Sequence, residues 1–71
     1  MRTIIITTEF IKLQDLLKFA SLVSTGGEAK MMIAEGEVLV NGAVCTQRGR
    51  KIRPGDRVRF RDEELTVDHA R

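Results

Sequence analysis

Arg48, Arg50, Lys51 and Arg53 place four cations in six consecutive positions, with no acid among them. Such a run repels itself unless it is solvated or meets an anion. Arginine forks grip phosphate oxygens in pairs, so the chemistry on offer is phosphate binding. The plainer reading is an exposed, solvated turn. Turn chemistry at both ends favours the anion site: Asn41-Gly42 lies upstream and Pro54-Gly55 closes the run. Lys12 offers a further phosphate contact, and Lys30 lies where it could reach an anion at the start of a second helix. Lys18 reads rather as part of a solvated polar face.

Other chemistries lack their residues. His69 is the single histidine and Cys45 the single cysteine, so the chain carries no metal-ligand cluster. It has no Walker loop and no nucleotide fingerprint. Serine, histidine and aspartate occur at no spacing that suggests a triad. Glu35 and Glu37 flank Gly36 without the marks of an acid–base pair. The chain reads as a non-enzyme with no metal, cofactor or small-molecule substrate. Cys45, alone in an expected strand, reads as a small core residue.

These side chains need elements to hold them. Thr3 to Thr7 is β-branched throughout and reads as a short strand. Leu13, Leu16, Leu17 and Ala20 recur at helical spacing, with Gln14, Asp15 and Lys18 on the opposite face. Ser21 to Gly27 is rich in turn formers. Thr25 and Glu28 have capping-box spacing, and a second helix follows from about Gly27 to Glu35, with Ala29, Met32 and Ile33 on one face and Gly36 ending it. Two glycines ahead of that helix would leave backbone N–H groups open to an anion; a flexible helix–helix turn explains them equally well. Val38 to Val40 and Ala43 to Thr46 flank Asn41-Gly42, the pair best suited to a type I′ hairpin turn. Arg57 to Arg61 alternates, so Val58 and Phe60 point inward and three arginines outward. Asp62, Glu63 and Glu64 make an acidic turn, Leu65 to Val67 a last strand, and Asp68 to Arg71 a tail.

With 71 residues, 42% hydrophobic and 31% charged, the chain is one small globular domain. A domain of this size buries only about 60% of its unfolded surface, which leaves no room for an enclosed substrate site. Tryptophan and tyrosine are absent and phenylalanines number three, which argues against a single-strand binder built on stacked bases. Formal net charge is +2, but seven of the 12 Lys and Arg lie between Arg48 and Arg61 with one acid, Asp56, a local net of +6. The rest of the chain is acidic overall. That asymmetry points to nucleic acid or an acidic surface as partner. A lone cysteine fits a reducing compartment, and the apolar run near the start is too short for a signal peptide or a membrane span. The expected location is cytoplasmic, with no membrane partner.

One combination of motifs resembles a known family. A short Leu-rich helix precedes Gly26-Gly27-Glu28-Ala29-Lys30, followed by Ile33 and Gly36, then Val38-x-Val40-Asn41-Gly42, then Lys51-Ile52-x-x-Gly55-Asp56-x-Val58. This resembles the S-four RNA-binding domain, named for ribosomal small-subunit protein four, over about Ile11 to Phe60. The Gly-Gly-Glu-Ala-Lys segment with Arg48-Gly49-Arg50-Lys51 is similar to the small stand-alone bacterial members of the YaaA/YbcJ type. The resemblance implies an α+β, S-four-like (alpha-L) fold, with two short helices packed on a small, mostly antiparallel sheet and residues 1–71 forming a single domain. It implies structured RNA, ribosomal or transfer, as the partner, and association with the ribosome or a ribosomal subunit. The implied RNA surface includes Lys12 at the first helix start, Gly27, Glu28 and Lys30 at the second, and Arg48, Arg50, Lys51 and Arg53 in the basic loop. Two positions depart from the family pattern: Lys12-Leu13-Gln14 stands where many members have Arg-Leu-Asp, and Thr25-Gly26-Gly27 where many have Ser-Arg-Ser. The missing arginine shifts the expected load toward Arg48 to Arg53.

The reading is a non-enzymatic protein that recognises folded RNA through phosphates, 2′-hydroxyls and loop geometry. Its rival is a protein-interaction module docking on an acidic partner through the same basic loop. Specific DNA reading is disfavoured, because neither helix carries a row of base-reading side chains. Arg57, Arg59 and Arg61 read as facing solvent, neutralised by Asp62, Glu63 and Glu64.

Overall fold

The computed structural model describes residues 2–70. Its elements are β1 (Arg2–Ile6), β2 (Ile11–Lys12), α1 (Leu13–Phe19), α2 (Gly26–Ala34), β3 (Val38–Val40), β4 (Ala43–Val44), β5 (Lys51–Ile52), β6 (Arg57–Phe60) and β7 (Glu63–His69). Five strands form one sheet in the order β1-β7-β6-β3-β4, while β2 and β5 form a separate ribbon. All pairings are antiparallel except β1 with β7. The architecture is the expected α+β one, two short helices with a mostly antiparallel sheet.

Strand alternation buries Ile4 and Ile6, Val38 and Val40, Val58 and Phe60, and Leu65 and Val67. Leu13, Leu16, Leu17 and Ala20 from the first helical stretch, and Ala29 and Ile33 from α2, join them in one cluster, with Met32 partly buried against it. Cys45 is buried in the same core. Asn41 and Gly42 both take positive φ, 51° and 86°, and the flanking residues pair as Val40 with Ala43 and Leu39 with Val44. That is the two-residue hairpin expected of Asn-Gly.

Both helices end in the same way. Ser21 N–H donates to Lys18 O and Leu22 N–H to Leu17 O, each at 2.9 Å. Gly36 N–H donates to Ile33 O and Glu37 N–H to Met32 O, each at 3.1 Å. This double closure needs a left-handed residue after the C-cap. Gly36 supplies it at φ 78°, and Ser21, without glycine's freedom, at φ 59°.

Four expectations need correction. Gly26 and Gly27 do not precede α2 but are its first two residues, because Thr25 is the cap and its hydroxyl accepts the Glu28 N–H at 3.1 Å. The Glu28 carboxylate accepts from Ser24 N–H at 2.7 Å, one residue upstream of the reciprocal capping-box partner. The second hairpin strand stops at Val44 rather than Thr46, after a last bond from Cys45 N–H to Val38 O at 3.0 Å. The final strand is longer than Leu65–Val67: Glu63 and Glu64 belong to it rather than to a turn, and Asp68 and His69 to it rather than to a tail. Its parallel partner explains the length, since β1 pairs Ile5 with Asp68 and Ile6 with His69. Arg71 lies outside the described residues.

Candidate nucleic-acid interface

The basic loop is clamped to the start of α1 by backbone. Lys12 is the N-cap and its side chain makes no capping bond. Instead, Leu13 N–H donates to Arg50 O at 2.9 Å and Gln14 N–H to Arg48 O at 3.1 Å. The carbonyls of the loop satisfy amides that a helix start leaves open. Those amides are therefore taken by backbone, and the capping uses no arginine side chain of the loop. A turn closed by Arg50 N–H on Gln47 O, 3.1 Å, shapes the loop just before β5. The β2–β5 ribbon finishes the clamp, pairing Ile11 with Ile52 and Lys12 with Lys51. Ile52 is fully buried and anchors the ribbon to the core.

Asn41 and Asp56 lock the far end of the run. Arg53 N–H donates to one Asp56 carboxylate oxygen at 2.8 Å, and the Asn41 amide to the other at 3.1 Å. The Asn41 carbonyl oxygen accepts from Arg57 N–H at 2.9 Å. Gly55 N–H reaches Val67 O at 2.9 Å, tying the turn to the sheet. Asp56, the one acid inside the basic stretch, thus spends both oxygens on turn geometry. The Val-Asn-Gly and Gly-Asp motifs act here as a structural lock.

Electrostatics separate two sets of cations. Arg59 lies 3.8 Å from Glu64, and Arg61 3.8 Å from Glu37. Arg61 also stacks over Phe60 and donates to Met32 Sδ at 3.4 Å. Among the described residues, Lys12, Arg48, Arg50, Lys51 and Arg53 enter no ion pair, and all five are exposed. Of the neutralisation read for the strand arginines, Arg59 keeps its part through Glu64, Arg61 uses Glu37 instead, and Arg57, also exposed, enters no ion pair among the described residues.

Gly27, Glu28 and Lys30 are exposed on the first turns of α2. Among the described residues, no hydrogen bond or ion pair joins them to Arg48–Arg53, and the Glu28 carboxylate is engaged with Ser24. Phe10 is the residue that sequence reading missed: Lys51 Nζ lies 5.0 Å from its ring centroid and Arg53 Cζ 5.7 Å. Only the pairing of β2 with β5 makes that cluster visible. Among the described residues, no group of three or more His, Cys, Asp or Glu could hold a metal ion, and no helix is long and apolar enough to cross a membrane. The arrangement as it stands presents cations unpaired among the described residues on a backbone tied by hydrogen bonds at both ends.

Known proteins share this frame. A family model described as the S4 domain matches residues 4–68. "Probable ribosome maturation protein RlbA" of Bacillus subtilis (strain 168) is 47% identical over 51 residues, 72% of each chain. YbcJ of Escherichia coli (strain K12) is 42% identical over 57 residues, 80% of this chain and 81% of that one. The solution structure of YbcJ, described as revealing an alfaL motif involved in RNA binding, matches with a TM-score of 0.73 and 38% identity over 96% of this chain and 87% of that one. A crystal structure of a pseudouridylate synthase matches with a TM-score of 0.71 and 25% identity, over 79% of this chain but 24% of the synthase. The likeness to the synthase is therefore that of one module.

Proposed function

The chain belongs to the S4 domain family, and from that premise we propose that it is a non-enzymatic, cytoplasmic RNA-binding protein that recognises structured ribosomal or transfer RNA in association with the ribosome. The carrying observation is the clamp that sets Lys12 opposite Lys51, with Arg48 and Arg50 on the adjoining loop and, among the described residues, no ion pair on any of them. Like charges placed directly across a strand pair disfavour folding. An RNA backbone relieves that repulsion. A surface of this size reads phosphates, 2′-hydroxyls and loop shape, because the major groove of duplex RNA is too narrow for side chains to read. Lys12, Arg48, Arg50, Lys51 and Arg53 are the principal contacts in this reading. Gly27, Glu28 and Lys30 form a second, weaker edge. YbcJ's motif involved in RNA binding and RlbA's ribosome-maturation name support the RNA and ribosome parts of the proposal.

The test is fluorescence-anisotropy binding to folded ribosomal RNA fragments, transfer RNA and duplex DNA across a salt series. If about four phosphates are neutralised, affinity falls with roughly the third power of salt concentration. The triple change Arg48→Glu/Arg50→Glu/Lys51→Glu, folded by circular dichroism, is expected to lose the preference for structured RNA. Equal weak binding to all three polyanions, or no loss in the variant, would sink the proposal and turn the search to an acidic protein partner.

A further inference from the structure

The ribbon cations are arranged around an aromatic ring. β2 and β5 pair Ile11 with Ile52 and Lys12 with Lys51. One step further along that antiparallel register, Phe10 falls opposite Arg53. Side chains alternate along a strand, and Ile52 is buried, so Phe10, Lys12, Lys51 and Arg53 share the outward face. Lys51 Nζ and Arg53 Cζ lie 5.0 and 5.7 Å from the Phe10 centroid, both within the reach of a cation–π attraction. The backbone below the ring is held by the Thr8 hydroxyl, which donates to Phe10 O at 2.8 Å. Phe10 is half-buried, so its ring is seated rather than free.

We propose that Phe10 is a positioning residue of the RNA surface: its ring holds the Lys51 ammonium and the Arg53 guanidinium beside Lys12, so that three cations meet a phosphodiester backbone with part of their rotamer freedom already removed. Long basic side chains lose much of that freedom when they are immobilised on a ligand, so pre-ordering raises affinity without a new contact. The inference rests on the RNA-binding reading and adds to it a residue that acts through the cations. The ring's quadrupole is what matters, and an aliphatic side chain of similar bulk lacks it.

Phe10→Leu keeps the apolar bulk and every charge, while Phe10→Tyr keeps the ring. Two probes are titrated, a folded ribosomal RNA fragment and inorganic tripolyphosphate, a polyanion without bases. Phe10→Leu is expected to bind both more weakly by about three- to tenfold, with an unchanged salt slope because no charge is removed. Phe10→Tyr is expected to restore both. In the free wild-type protein the ring is expected to shift the Lys51 Cε and Arg53 Cδ proton resonances upfield, a readout that does not depend on any variant folding. Three results would overturn the proposal: unchanged affinity in Phe10→Leu, absent ring-current shifts, or a loss toward RNA that spares tripolyphosphate. The last would make Phe10 a base-stacking platform instead. If the wild type shows no preference for RNA, the RNA reading falls separately, and the ring shifts with the tripolyphosphate titration still decide what Phe10 does to its cations.

Discussion

Asn41 shows how one side chain ties two turns together. It sits at φ 51° in the hairpin, accepts the Arg57 N–H and donates to Asp56, whose other oxygen holds Arg53 N–H. Glycine tolerates that dihedral but offers no side-chain bonds; alanine offers neither. Asn41→Gly is expected to cost about 1–2 kcal/mol through the two lost hydrogen bonds. Asn41→Ala is expected to cost about 1 kcal/mol more, from left-handed strain. Urea unfolding of the two variants separates the contributions. Equal losses would mean that the backbone angle does not select asparagine here. The same lock sets the position of Arg53, so a side chain that never touches RNA in this reading still shapes the cationic end.

Helix termination makes a sharper comparison at the level of elements. α1 and α2 close with the same pair of carbonyl bonds, but the left-handed position is Ser21 in one and Gly36 in the other. A Cβ on Gly36 would meet Val44 Cγ1 at 3.6 Å, an ordinary contact, so the dihedral alone penalises a side chain there. Gly36→Ala is expected to lower stability by about 1–2 kcal/mol, and Ser21→Gly to raise it by about 0.5–1 kcal/mol after glycine's entropy cost. Thermal melts then move in opposite directions, by about 4–8 °C per kcal/mol for a domain of this size. Two shifts of the same sign would contradict the shared closure. Gly36 was legible as a stop because glycine marks such positions locally; Ser21, a serine among turn formers, carried no such mark. The same distinction runs through the fold. Helical spacing of Leu13, Leu16 and Leu17, and Asn-Gly between apolar, β-branched-rich runs, are local signals; the helix and the hairpin turn formed as read, although the hairpin's second strand ends at Val44. The β2–β5 ribbon is two residues on each side, too short for a period, and joins segments far apart in sequence. The parallel pairing of β1 with β7 is equally remote, so the last strand read too short. Backbone capping of α1 by Arg48 and Arg50 carbonyls has no side-chain signature at all. Hence the cations themselves were readable, whereas their grouping around Phe10 was not.

Across the whole molecule, charge is laid out against the interest of folding alone. A domain of this length has about 4–10 kcal/mol of stability to lose. Yet Lys12 faces Lys51 across a strand pair and, among the described residues, neither has an acid partner, while on the sheet side Arg59 and Arg61 have Glu64 and Glu37 and, of the three arginines there, only Arg57 has none. Selection for stability by itself would place a carboxylate at position 12. It would pair with Lys51 across the strands and lie at the positive end of the α1 dipole. Lys12→Glu is therefore expected to stabilise the fold by about 0.2–1 kcal/mol, while weakening binding to structured RNA. A melt and an anisotropy titration on the same sample test the two halves together. Salt supplies the control: added sodium chloride screens the Lys12–Lys51 repulsion, so it should raise the wild-type melting temperature more than that of Lys12→Glu. A variant that is both less stable and weaker in binding would assign Lys12 to the fold. A variant that melts higher and binds less would mean that this small domain retains a repulsive pair because a polyanion completes it.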